Sequence, residues 1–306
     1  MKSTPKILVI GGSGFIGSHF IKSIIDKEFS IVSISRSSKS NYKDRKNFSH
    51  IKCDITKIKQ IKKIAKIKFD FIINFGGYID HSEFNKSNSN LIIKTHFMSI
   101  LDLVSILNLS NLKHFIQIGS SDEYGFARHP QSEKSESLPF SPYGLSKLFL
   151  TKYLMSYYYN YNFPATVLRL FIVYGPGQKE NRLIPFVITN CLKDNNFKVS
   201  KGEQIRDFCF IDDIIDAILL TLNNKKTFGK IINIASGKQV AVKRIINKLN
   251  QKIKKGTPIF GKLENKLENK TLFANNQVAK SILKWKPKYS LNQGLNKTIK
   301  YYEQLG

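Results

Sequence analysis

The segment Lys6-Ile-Leu-Val-Ile-Gly-Gly-Ser-Gly-Phe-Ile-Gly17 constrains this chain more than any other. A short apolar run predicts a strand over 6–10, and glycines at 11, 14 and 17 come directly after it. Missing side chains let the backbone turn tightly and approach a ligand closely. Between a strand and a helix, that spacing offers the free N–H groups of a helix N-terminus to a diphosphate. Gly11, Ser13, Gly14, Phe15, Ile16 and Gly17 are therefore the candidate dinucleotide contacts. A tight turn without a ligand is the bland alternative.

Beyond the glycines the chain repeats the strand-then-helix rhythm. Apolar runs predict strands at 30–35, 69–74, 113–118 and 164–170, with helical patterns at 16–26 and 95–107 between them. Short, nearly continuous apolar strands separated by helices indicate βαβ units and a parallel sheet covered on both faces. The expected fold class is α/β, a Rossmann-like doubly wound parallel sheet. After Pro176 the pattern changes to a helix at 183–192, extended pieces over 198–210, a helix at 212–222 and a strand at 229–234. The Lys-rich remainder ends in an amphipathic helix over 291–305, and the duplicated Leu263-Glu-Asn-Lys/Leu267-Glu-Asn-Lys reads as a solvated loop or helix face. We expect a dinucleotide-binding domain over 1–172, with 210–235 returning to it, and a smaller α/β domain over most of 173–306.

Composition narrows the setting. A chain of 306 residues with 42% hydrophobic and 12% aromatic residues is globular and large enough for a substantial core. Cys53, Cys191 and Cys209 are too few and too scattered for a disulfide framework or a metal-binding cluster, so no metal is expected. Only four apolar residues, Ile7–Ile10, precede the glycines, too short a run for a signal peptide or a spanning helix. A cytoplasmic enzyme without a membrane partner is the expectation. A net charge of +27 invites a polyanionic partner such as nucleic acid. The lysines are nevertheless spread over the whole chain without any nucleic-acid-binding signature, so a biased, solvated surface is the preferred reading and no nucleic acid is expected.

About 20 residues beyond the glycines, an acid would bind the ribose hydroxyls of NAD. The second strand instead ends Ser33-Ile-Ser-Arg-Ser-Ser-Lys39. Arg36, helped by Ser35, Ser37 and Lys39, suits the 2′-phosphate of NADP, whose oxygens match a guanidinium fork. NADP is thus expected, with NAD the alternative and a solvated Arg36 the plain reading. Asp54 is a candidate adenine contact or a helix N-cap before Thr56.

The chemistry points further along. The strand through 115–120 runs into Ser120-Ser-Asp-Glu-Tyr-Gly125, and strand C-termini are where open α/β sheets bind ligands. Downstream, Tyr143 and Lys147 in Ser141-Pro-Tyr-Gly-Leu-Ser-Lys147 share one helical face. A free tyrosine has a pKa of about 10. A neighbouring ammonium stabilises the phenolate and brings it into a useful range for proton transfer.

Together these residues resemble the extended short-chain dehydrogenase/reductase family, that is, the nucleotide-sugar epimerases, dehydratases and reductases. Further markers are Arg169, Val173-Tyr-Gly-Pro176, Arg206-Asp-Phe208, Ile211-Asp-Asp213 and Trp285-Lys-Pro287. The resemblance implies that Tyr143 is the acid/base, that Lys147 binds the nicotinamide ribose and tunes Tyr143, and that Ser120 holds the reacting sugar oxygen, usually at C4. It implies a nucleotide-sugar substrate held by the C-terminal domain, with Ser121, Arg182 and Arg206 as contacts, and the option of a homodimer. Two departures stand out: Ile172 where many members carry Asn, and His96 where a helix-borne Asn is common. His96 is expected to pack or hydrogen-bond, not to bind metal.

The reaction is less constrained. Asp122 falls where 4,6-dehydratases carry a Glu, but Ser121 replaces the Asp of many of them. The segments 173–185 and 202–208 look like nucleotide-sugar ketoreductases of the CDP-abequose synthase type. That resemblance agrees with Arg36, since a reductase consumes NADPH. The leading expectation is an NADPH-dependent 4-ketoreductase of a nucleotide-linked deoxysugar, with an NAD(P)-dependent epimerase or 4,6-dehydratase as the alternative.

Overall fold

The computed structural model describes residues 4–38, 42, 44–78, 80, 84, 88–263 and 269–305. Lys39 and the centre of the Leu263/Leu267 duplication lie outside the described residues. The chain divides into two compact units, Met1–Ala127 with Glu136–Arg169 and Ala217–Ile232, and Arg128–Ser135 with Leu170–Asp216 and Asn233–Gly306. Residues Arg128–Ser135 belong to the second unit although the chain on both sides of them belongs to the first.

The first unit is built on a seven-stranded sheet. Its strands are β1 (Lys6–Ile10), β2 (Ser30–Ser35), β3 (Phe48–Lys52), β4 (Phe71–Asn74), β5 (His114–Ser120) and β6 (Ala165–Leu170), joined by the strand Lys230–Ile234. The spatial order is Lys230–Ile234, β6, β5, β4, β1, β2, β3, and the pairs β3–β2, β2–β1, β1–β4 and β4–β5 are all parallel. Ile7, Leu8, Val9, Ile72, Ile73, Phe115, Ile116, Val167 and Leu168 are fully buried, as strands covered on both faces require. The order reverses beside β1: the chain steps to β2 on one side and returns to β4 on the other. Ligands of such sheets sit at that switch, outside the strand C-termini.

One helix departs from its sequence pattern. The expected helix over 95–107 is instead Ser89–Ile93, a π-type turn Lys94–Met98, and Ser99–Ile106. The wide turn resets the helical phase, which a period of 3.6 read from sequence cannot register.

The second unit carries several family markers as structural ties. Buried Asp207 accepts from Ser236 N, Ser236 Oγ, Gly237 N and Ala274 N. Asp213 accepts from Lys288 N and Tyr289 N, while Trp285 Nε1 donates to the Asp213 carbonyl. The motifs at 211–213 and 285–287 are thus one clamp, 72 residues apart in sequence.

Candidate active site

The glycine turn, the end of β5 and the helix bearing Tyr143 and Lys147 all lie in the first unit. After β1 the chain turns at Gly11, whose φ is +78°, a conformation that favours glycine. The Gly14 amide donates to Gly11 O (2.9 Å), and Gly14 is the N-cap of the helix Phe15–Ile24. That N-cap has no side-chain hydrogen bond, and the helix has no acid in its first turn, so its N–H groups face outward without an internal anion. A Cβ on Gly17 would stand 2.4 Å from the Gly11 carbonyl oxygen, and one on Gly11 would stand 2.9 Å from Gly76 N. The residues present fit a dinucleotide diphosphate: the cradle is backbone, and side chains would fill it. Ser13 and Gly14 are exposed at its mouth, with Phe15 and Ile16 partly covered.

At the end of β2, Arg36 is exposed. Ser35 Oγ donates to Ser37 O, and His50 Nε2 lies 2.8 Å from the same carbonyl, so the turn carrying Arg36 is braced from β3. Asp54 is not a helix cap: the next helix, Ile58–Ile61, begins after Lys57. Its Oδ1 accepts from Thr56 N (3.0 Å) and Thr56 Oγ1 (2.8 Å), a local turn that Asp favours because its short side chain reaches its own backbone two residues on.

The chemical end grows from β5. Ser120 closes the strand and caps the short turn Ser121–Glu123, its Oγ accepting from Asp122 N (3.2 Å). Glu123 Oε1 accepts from Ser120 N (2.9 Å), completing a reciprocal capping box that fixes the hydroxyl's backbone. Glu123 is fully buried and its Oε2 accepts from Thr151 Oγ1 and Arg169 Nε, both at 2.8 Å. Arg169, itself buried, lies over the Tyr124 ring. Gly119 leaves room for this ion pair, since a Cβ there would stand 2.6 Å from Glu123 Oε1.

The helix Pro142–Tyr161 then docks on that turn. Ser141 caps it, with Gly144 N donating to Ser141 Oγ, and Pro142 occupies the first position. A Cβ on Gly144 would stand 2.5 Å from Asp122 O, so glycine lets the helix close on the Ser121–Glu123 turn. Tyr143 and Lys147 are both buried. Lys147 Nζ donates to the Ile118 carbonyl (2.9 Å) and lies 5.9 Å from the Tyr143 ring centroid. Burial pushes Lys147 down to about 8, against the opposing pull of Glu123 and Asp122. The same Ile118 carbonyl accepts from Gln117 Nε2, and Asn74 Nδ2 donates to Gln117 Oε1, tying β4, β5 and Lys147 together. Ser120, Ser121, Asp122, Tyr143 and Lys147 are thus brought together.

Arg182 and Arg206 belong to the second unit. Arg182 is the residue before the helix Leu183–Leu192. Arg206 is buried, and its Nη1 donates to Ile205 O (2.8 Å). In sequence, Glu123 is simply one residue of the segment Ser120–Gly125, and nothing local marks it as the partner of Arg169. Its real signal was Arg169, a buried cation that demands a partner. No group of three or more His, Cys, Asp or Glu residues suited to a metal occurs among the described residues, and no described helix is long and apolar enough to cross a membrane.

Comparison with known proteins bears on this arrangement. Human dTDP-D-glucose 4,6-dehydratase is 28% identical over 331 residues, covering 98% of this chain and 90% of that protein. CDP-abequose synthase of Salmonella typhimurium is 28% identical over 305 residues, covering 96% and 97%. Bacillus cereus UDP-glucuronic acid 4-epimerase, solved with UDP-glucuronic acid and NAD, superposes with a TM-score of 0.88 at 28% identity, covering 98% and 100%. Residues 7–235 match the NAD dependent epimerase/dehydratase family, with the glycine turn and the Tyr143/Lys147 helix inside the matched span. The chain therefore belongs to that family and is an enzyme of the extended short-chain dehydrogenase/reductase type.

Proposed function

We propose that this enzyme is an NADPH-dependent 4-ketoreductase of a nucleotide-linked deoxysugar. The observation that carries the cofactor half is Arg36: exposed at the end of β2, on a braced turn with two serines and no acid, it is a cation suited to a 2′-phosphate. When bound, NADPH supplies the hydride that adds to the sugar C4. Ser120 holds the C4 oxygen, Tyr143 donates its phenolic proton to that oxygen, and the Lys147 ammonium stabilises the phenolate left behind. Reduction thus yields a secondary alcohol and NADP. By family resemblance, Ser121, Arg182 and Arg206 are assigned to the substrate. Similarity to CDP-abequose synthase over nearly the whole chain supports the reductase reading.

A second reading, 4,6-dehydration, is favoured by Asp122. Its amide donates to the Ser120 hydroxyl, so its carboxyl belongs to the capped turn, and Lys147 feels its charge. A carboxyl there would protonate a leaving hydroxyl. A panel of nucleotide-linked 4-keto sugars and their parent sugars separates the two. Stoichiometric loss of NADPH absorbance on a keto sugar is expected. Turnover with no net cofactor change and loss of water by mass spectrometry would replace the reductase assignment with the dehydratase one. In either case Tyr143→Phe should lower kcat by about 10²–10⁴-fold, the usual worth of a positioned acid/base.

A further inference from the structure

His96 stands where the helix bearing it widens into the π-type turn Lys94–Met98, an irregularity common near functional sites. The ring is 3% exposed. Its Nε2 lies 2.7 Å from the Tyr78 carbonyl, and because a carbonyl only accepts, Nε2 carries the hydrogen. Burial, reinforced by the charge of Lys147, pushes His96 down to about 3, so the ring is neutral and Nδ1 is an acceptor. Among the described residues Nδ1 has no hydrogen-bond partner. A buried acceptor left unmet is destabilising.

The surroundings say which ligand group would meet it. Gly77, with φ +121°, is pressed against the ring: a Cβ there would stand 2.1 Å from Cε1 and 2.6 Å from Nδ1. Its neighbour Gly76 touches the diphosphate turn at Gly11. The His96 ring also packs on Tyr143 in a T-shaped contact, with centroids 5.0 Å apart and planes at 85°. Gly11, Gly76, Gly77, His96 and Tyr143 therefore form a continuous run from the phosphate cradle to the phenol. A dinucleotide anchored at Gly11 and reaching Tyr143 must pass Gly76 and Gly77, and the donors it carries beyond its diphosphate include ribose hydroxyls.

We propose that His96 is a cofactor-positioning residue, whose Nδ1 accepts a hydrogen bond from a ribose hydroxyl of the bound dinucleotide while its ring packs against that of Tyr143. The inference rests on the Gly11–Gly17 turn being the cofactor site. The test uses the full chain labelled with ¹⁵N-histidine, with and without saturating NADP, and repeated with NAD. The Nδ1 resonance of His96, assigned by its loss in His96→Asn, is expected to move upfield when cofactor binds. Beside it, His96→Phe, which keeps a ring but loses both the Nδ1 acceptor and the bond to the Tyr78 carbonyl, should weaken cofactor binding at least about tenfold, the fold-change of one hydrogen bond, and His96→Asn should restore most of it. Cofactor bound with Nδ1 unmoved, Nδ1 bearing the proton, or His96→Phe binding as tightly as the parent would overturn the assignment of His96 alone. Failure of the parent protein to bind either dinucleotide would overturn the cofactor site as well.

Discussion

At the Gly11–Gly17 end the chain presents backbone, whereas at the Ser120–Lys147 end it presents buried charge, and the two ends are vulnerable in opposite ways. The first has no atom to spare: a Cβ at residue 17 would stand 2.4 Å from the Gly11 oxygen. The second has no charge to spare. Glu123 and Arg169 are 0% and 2% exposed and meet at 2.8 Å, with Thr151 and the Ser120 amide completing the carboxylate's shell. A diphosphate is met by fixed N–H groups, so shape suffices there. Moving a proton needs a perturbed ionisable group, which in turn needs burial and a counter-charge to keep the surrounding turn in place.

Adding atoms to the first end should have the largest effect. Gly17→Val would push the helix Phe15–Ile24 off the turn and weaken cofactor binding by about 10²–10⁴-fold, the worth of two hydrogen bonds to a charged group. Fluorescence titration with NADP and NAD reads this, and unchanged affinity would remove the contrast between the ends. Removing charge from the second end comes next. Glu123→Leu strands Arg169 without its partner and should cost about 3–5 kcal/mol in urea unfolding, since one member of a buried pair is then uncompensated. Loss of activity without loss of stability would make Glu123 a reacting group instead of a brace.

The smallest effect is a pH dependence. As pH rises through about 8, Lys147 loses its proton, and the rate should fall several-fold because the phenolate loses its stabilising charge. Stability should move the other way. The folded value, about 8, lies below the usual 10.5, so between these values the unfolded chain binds more protons and the contribution of this group to stability rises with pH. Parallel pH profiles of rate and of urea midpoint sharpen the contrast: a joint decline would mean that the rate reports unfolding, not Lys147.

Local features were legible because their physics is local. The glycine turn, the strands β1 and β2, the cap at Ser141 and the Tyr143/Lys147 pair each depend on residues within a few positions. Asp54 was only half legible, since its turn with Thr56 uses the same atoms as a helix cap. The widened turn at Lys94–Met98 was hidden, because an apolar period of 3.6 does not register one locally widened turn.

The sequence by itself determined the strand-and-helix alternation of the first unit except for the partly exposed edge strand β3, together with the backbone cradle at Gly11–Gly17 and the acid/base candidate on one helical face. Tertiary structure alone decided what surrounds that face. It brought Arg169 to Glu123 across 46 residues, closed Gly144 on the Asp122 carbonyl and laid His96 between Gly77 and Tyr143. The reason is that charge burial and close approach are properties of neighbours in space. A residue's spacing along the chain fixes the face on which it lies, while the protein interior fixes whether it holds a proton.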